Sequence, residues 1–139
     1  MAKTRIDELR GMRLFSGLST ADLHALVSTL DEVDVPAGTA LITEGKGNHA
    51  LYVLAEGEVD VVVGAQHRRT LGVGDFFGEI SMLGQDSASA SVVTRTPARL
   101  YVASHEQFMA LKANDTVLLR LKAAMGEHLY ADRDPKTPR

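Results

Sequence analysis

The chain contains no cysteine. Disulfides, zinc–thiolate sites and thiol nucleophiles are therefore excluded. No apolar run approaches the eighteen or so residues that a membrane-spanning helix needs. The first residues, MAKTRIDELRGMR, carry no apolar core of the kind a secretory signal requires. Basic residues are thinly spread, and no cluster exceeds the pair Arg68-Arg69. A nucleic-acid surface needs a concentrated basic face, so that class of partner is not expected. These absences set the expectation of a cytoplasmic protein that contacts neither membrane nor nucleic acid. What is present is ordinary for a globular domain: 139 residues, 45% hydrophobic and 24% charged, with a formal net charge of −3. That length suits one domain with its own core.

The apolar pattern divides the chain into three stretches. Ile6, Leu9 and Met12 recur at helical spacing, and Gly17 breaks that helix. Ser19 is placed to cap a second helix, whose buried stripe is Leu23, Leu26, Val27 and Leu30. From Asp31 the period becomes two. Short alternating segments run through DEVDV, ALI, ALYVLAE, VDVVV, RRTL, SVVT and RLYVAS, punctuated by glycine-rich turns and a hairpin at Gly64-Ala65. Six to eight such strands predict a sandwich or small barrel. Beyond Ser104 the helical period returns. SHEQ is a capping box, Asp115 is placed to cap the last helix, and Leu118, Leu121, Met125 and Leu129 form its expected apolar stripe. The arginines Arg95 and Arg99 flank Pro97 and read as decoration of a surface turn.

PAGTALITEGKGNHALYVLAEGEVDVVV followed by LGVGDFFGEISML resembles the cyclic nucleotide-binding domain, the family of kinase regulatory subunits and catabolite activator proteins. The likeness extends over roughly residues 12–130. Its most specific parts are the P-x-G turn at 36–38, the pattern from Tyr52 to Val59, and G-D-x-F-G-E at 74–79. The resemblance implies a mainly β fold with flanking helices, a double-stranded β-helix of jelly-roll type, here a β-roll between N-terminal and C-terminal helices. The domain is expected over residues 1–130, and the composition of 131–139, rich in proline and charge, predicts a disordered tail.

The same resemblance implies the site. Gly78, Glu79, Ile80 and Ser81 would form an amide cradle with Glu79 as the acceptor for a ribose hydroxyl. Ser87, Ala88 and Ser89 would line the phosphate side. The family pattern has an arginine nine positions after the glutamate, and here that position is Ala88. A hydrogen bond to a charged group is worth roughly 1.5–3 kcal/mol. Its loss lowers affinity by about 10- to 150-fold. Arg69 is a further candidate, since alternation must turn either Arg68 or Arg69 inward. Tyr130 is a candidate lid for the purine. The expected ligand is cyclic AMP or cyclic GMP, bound weakly, with no other cofactor and no metal. Partners are an unknown protein or a second copy through the C-terminal helix.

The alternative is a scaffold of the same fold without a ligand, used for protein interaction or dimerisation. Enzyme activity is not expected. No G-x-S-x-G nucleophile turn occurs, and the histidines at 24, 49, 67, 105 and 128 form no H-x-H pair, so a metal enzyme built on a similar roll is disfavoured. The few polar residues after the last helix leave no room for a helix-turn-helix, so the chain is not expected to be a transcription factor.

Overall fold

The computed structural model describes residues 4–83 and 87–132. Helices α1 (Arg5–Arg10) and α2 (Thr20–Val27) lead into strands β1 (Asp31–Val35), β2 (Ala40–Ile42), β3 (Ala50–Glu56), β4 (Val59–Val63), β5 (Gln66–Leu71) and β6 (Phe76–Phe77). A short helix α3 (Glu79–Leu83) interrupts the strands. Then come β7 (Ser91–Thr94), β8 (Ala98–Ser104), α4 (His105–Lys112) and α5 (Asp115–Asp132). The strands make two four-stranded sheets, ordered β1-β8-β3-β6 and β2-β7-β4-β5, with every pairing antiparallel. This is the β-roll with flanking helices that the resemblance implied.

Strand alternation builds two cores. Along β3, Leu51, Val53 and Ala55 face the helices while Leu54 and Tyr52 face the other sheet. In β8, Tyr101 and Ala103 take the helix side, and Ala98, Leu100 and Val102 the sheet side. A strand covered on both faces reads as continuously apolar, which is why ALYVLAE lacks polar alternation. The helical core gathers Leu9, Leu14, Phe15, Leu23, Phe108, Val117 and Leu121 against that outer sheet face. The inter-sheet core gathers Val59, Val61, Leu71, Phe77, Val92 and Leu100.

Local signals mostly act as expected. The Ser19 side chain accepts from the Asp22 amide, and Ser104 and Gln107 form a reciprocal capping box. At the hairpin, Gly64 and Ala65 both take positive φ, 56° and 65°, as a tight two-residue turn requires. Three details differ. The side chain that caps α5 is Asn114, which accepts from the Val117 amide, so Asp115 is the first helical residue rather than the cap. The buried stripe of α5 is Val117, Leu121, Ala124 and then Asp132, while Leu129 is 37% exposed. The expected and observed stripes share Leu121, while Val117 and Ala124 are buried where Leu118 and Met125 were expected, and the inner face ends in polar groups. Finally, α5 runs to Asp132, past the expected boundary at 130; the remainder of the expected tail lies outside the described residues.

Candidate functional site

The segment between β6 and β7 sits where the two sheets meet, and its geometry begins with Gly78. That residue has φ of 100°, and a Cβ there would lie 2.5 Å from the Ala50 carbonyl oxygen. Only glycine fits both the angle and the space. The Asn48 side chain bridges the two strands of this corner, donating to the carbonyls of Ala50 at 2.9 Å and Gly78 at 3.2 Å. The chain leaves Gly78 directly into α3, so the Glu79 carboxylate points inward and is fully buried.

A buried carboxylate must be hydrogen-bonded to be tolerated. Glu79 Oε1 accepts from His128 Nδ1 on α5. Its other oxygen, Oε2, is buried and has no hydrogen-bond partner among the described residues. Glu79 is thus more than a favourable acid at the start of a short helix: it is desolvated, half-satisfied, and aimed at a cavity.

That cavity is small, about 30 Å³, and is walled by Gly78, Glu79, Ile80 and Ser81 on one side and Ala88, Ser89 and Ala90 on the other. Ile42, Val61, Phe77 and Val92 form its apolar floor. Of the expected site residues, all but Ser87 and Tyr130 line this space. Ser87 is exposed: alternation turns Ala88 and Ala90 into the inter-sheet core and Ser87 away from it. Tyr130 is 56% exposed, two residues from His128 and so on another face of α5.

Arg69 also lines the cavity, with its side chain only 19% exposed. It is not a solvated hairpin residue. It donates from Nε to Asp132 Oδ1 at 2.8 Å and from Nη2 to Oδ2 at 3.3 Å, a two-point guanidinium–carboxylate contact. Two residues of the site, His128 and Asp132, were not found from sequence. They stand four apart on one face of α5, continuing the line of Leu121 and Ala124. A polar pair that prolongs an apolar stripe is the signal that exposes them. Gly126, in the turn between Ala124 and His128, meets nothing within 4 Å at its Cβ position among the described residues, so no packing demand explains it.

The sequence profile of the cyclic nucleotide-binding domain matches residues 32–115, more than half of the chain. The chain belongs to the cyclic nucleotide-binding domain family. Among individual relatives, the cyclic AMP receptor protein of Thermus thermophilus is 32% identical over 74% of this chain and 50% of its own length. A cyclic nucleotide-gated potassium channel of Rhizobium etli is 34% identical over 63% of this chain and 24% of its own. Among solved structures, a triple variant of the regulatory subunit of a cAMP-independent protein kinase A from Trypanosoma brucei superposes with a TM-score of 0.81 at 26% identity. The match covers 91% of this chain and 50% of that one. That variant, one of whose three changes introduces an arginine, is bound to cAMP in its A site. The chain spans between a quarter and a half of these relatives. Among the described residues, no helix is long and apolar enough to cross a membrane, and no group of three histidine or acidic side chains is placed to hold a metal.

Proposed function

We propose that this domain is a regulatory module that binds a cyclic nucleotide, cyclic AMP or cyclic GMP, with low affinity, and that it is not an enzyme. The observation that carries the reading is Glu79: a fully buried carboxylate whose Oε2 lacks a partner among the described residues, held beside a glycine that no other residue can replace. Such an oxygen calls for a donor, and a ribose 2′-hydroxyl is one. The backbone turn at Gly78 lets a ligand approach closely.

Two features support low affinity. Ala88 supplies no charge where the family pattern has arginine, and it is packed in the inter-sheet core. The cavity of about 30 Å³ also has room for little more than a water, whereas ligand pockets run to roughly 300 Å³ or more. A nucleotide enters only if α5 yields. A ligand-free scaffold, acting through a partner protein or a second copy, is the competing reading, and Ala88 is the residue that favours it.

Titration calorimetry with cyclic AMP and cyclic GMP, on wild type and Ala88→Arg, decides between them. The expected result is weak wild-type binding and at least a tenfold gain in the variant. Wild-type dissociation constants in the low micromolar range or tighter contradict the weak-binding claim. No binding by either protein favours the scaffold.

A further inference from the structure

Arg69 reaches the cavity through an irregularity in its strand. The β4–β5 register shifts between Val61 and Val62, so Val61 opposes Arg69 while Val62 opposes His67. Arg68 is the extra residue of that bulge, and bulges re-aim side chains. In consequence two successive arginines border the pocket. Arg69 lines the inner cavity, and Arg68 lines an open groove outside it of about 630 Å³. Cavity and groove share Ser89 and Asp132. The last turn of α5 is therefore the partition between a space too small for a nucleotide and one large enough.

The unmet hydrogen-bonding needs on the two sides are opposite in kind. Glu79 Oε2 is buried and calls for a donor, while Arg68 Nε is buried and calls for an acceptor. The contacts α5 does make follow the same pattern. His128 meets Glu79 through a ring nitrogen, and Asp132 meets Arg69 with an anion. One helical face thus presents, four residues apart, the kinds of group that a ribose hydroxyl and a cyclic phosphate would present.

We propose that Arg69 is the anion-binding residue of this pocket, and that Asp132, with His128 beside it, holds its place until a cyclic phosphate displaces the last turn of α5. The inference rests on the nucleotide-binding reading above. The exchange is charge for charge: a carboxylate leaves Arg69 as a phosphate monoanion arrives. The guanidinium is already desolvated by its partner, so its burial is not a new cost of binding. The arrangement also accounts for a pocket that retains its sugar acceptor although Ala88 carries no charge.

The test is calorimetry with cyclic AMP and cyclic GMP on the full chain, comparing wild type, Asp132→Asn, the double variant Asp132→Asn/Arg69→Gln, and Ala88→Arg. Asp132→Asn removes the competing anion with little change of shape. It is expected to bind at least fivefold tighter than wild type, and the double variant to lose that gain. Using the double variant avoids leaving Asp132 charged and unpaired, and its circular dichroism and melting curve establish that it folds. The inference is overturned if Ala88→Arg binds but Asp132→Asn shows no gain, or if the double variant keeps the gain. Absence of binding in all four proteins overturns the nucleotide-binding reading itself, and the inference with it.

Discussion

Arg69 and Arg99 stand on opposite sheets with nearly the same side-chain exposure, 19% and 18%, yet they are held in different ways. Arg99 is gripped from three elements: it donates to Glu8 on α1 at 2.5 Å, to Glu32 on β1 at 3.1 Å and to Glu56 on β3 at 2.9 Å, with the Tyr101 hydroxyl at 3.3 Å. Its proton is held above the ordinary guanidinium range, chiefly by the bond to Glu8 and despite the opposing effect of burial. Among the described residues, Arg69 is paired with Asp132, in the terminal turn of α5. Equal burial therefore does not mean equal function. An arginine tied to three fixed elements is a fastener between the N-terminal helix and the sheet. An arginine tied to a helix end has a partner that can leave.

Replacing each arginine by methionine, which keeps an apolar stem of similar length, separates the two. Arg99→Met removes the cation that Glu8, Glu32 and Glu56 share, although Arg5 stays 3.9 Å from Glu32 and the Tyr101 hydroxyl still donates to Glu8. Glu8 is partly covered, at 21% side-chain exposure, and Glu32 is open, at 41%, so the loss lies between that of an exposed pair and that of a buried one, about 2–3 kcal/mol. Urea denaturation is expected to show that loss; a change below about 1 kcal/mol would make the cluster decoration and erase the contrast with Arg69.

Tyr101 is the neutral member of the same cluster, donating to Glu8 Oε1 at 2.6 Å. Tyr101→Phe is expected to cost about 1–2 kcal/mol at neutral pH. Burial first, and then the bond to Glu8, push its phenol pKa up. A folded pKa raised above the unfolded value of about 10 gives stability that is complete below that pH and is lost as pH rises through the folded value. Wild type should therefore weaken on alkaline titration, and Tyr101→Phe should weaken less steeply. Some slope should persist, because burial raises Tyr52 as well. Identical alkaline limbs for the two proteins would show that Tyr101 is not linked to folding.

The contrast between the arginines also marks what sequence reading reaches. Strands, hairpin and the Ser19 and Ser104 caps were legible because each depends on neighbours in the chain: alternation over five residues, Ser104 to Gln107, Gly64 to Ala65. The Gly78-Glu79 corner was legible through its motif. Arg99 was misplaced on a surface turn because its carboxylates lie 43, 67 and 91 positions away, and no local pattern announces them. Arg69 was narrowed to one of two adjacent arginines by alternation, but the bulge at Val61/Val62, which sets the choice, has no sequence mark. His128 and Asp132 were missed for a related reason. The apolar period that marks α5 ends at Ala124, and the rest of its inner face, His128 and Asp132, is polar.

The smaller predictions probe how freely Asp132 departs. Arg69→Met leaves that carboxylate unpaired at a side-chain exposure of 6%, which in a rigid interior would cost as much as the Arg99 substitution. Here the penalty is capped by an alternative: the last turn of α5 opens and returns the carboxylate to water, and local opening of a helix end costs little. A global loss near 1 kcal/mol is expected, together with faster amide exchange at 128–132 than in wild type. A loss as large as that of Arg99→Met would show that the end of α5 is as fixed as the sheet, and would remove the basis for ligand entry by that route. Least of all should Glu56→Gln matter. Its side chain is 66% exposed, and Arg99 keeps Glu8 and Glu32 without it. Solvent-exposed pairs contribute about 0.2–1 kcal/mol, so a change under roughly 0.5 kcal/mol is expected in the same urea experiment. A larger effect would mean that Arg99 depends on all three carboxylates acting together, and the fastener would then be a single cooperative unit rather than one strong bond to α1 with two weaker ones beside it.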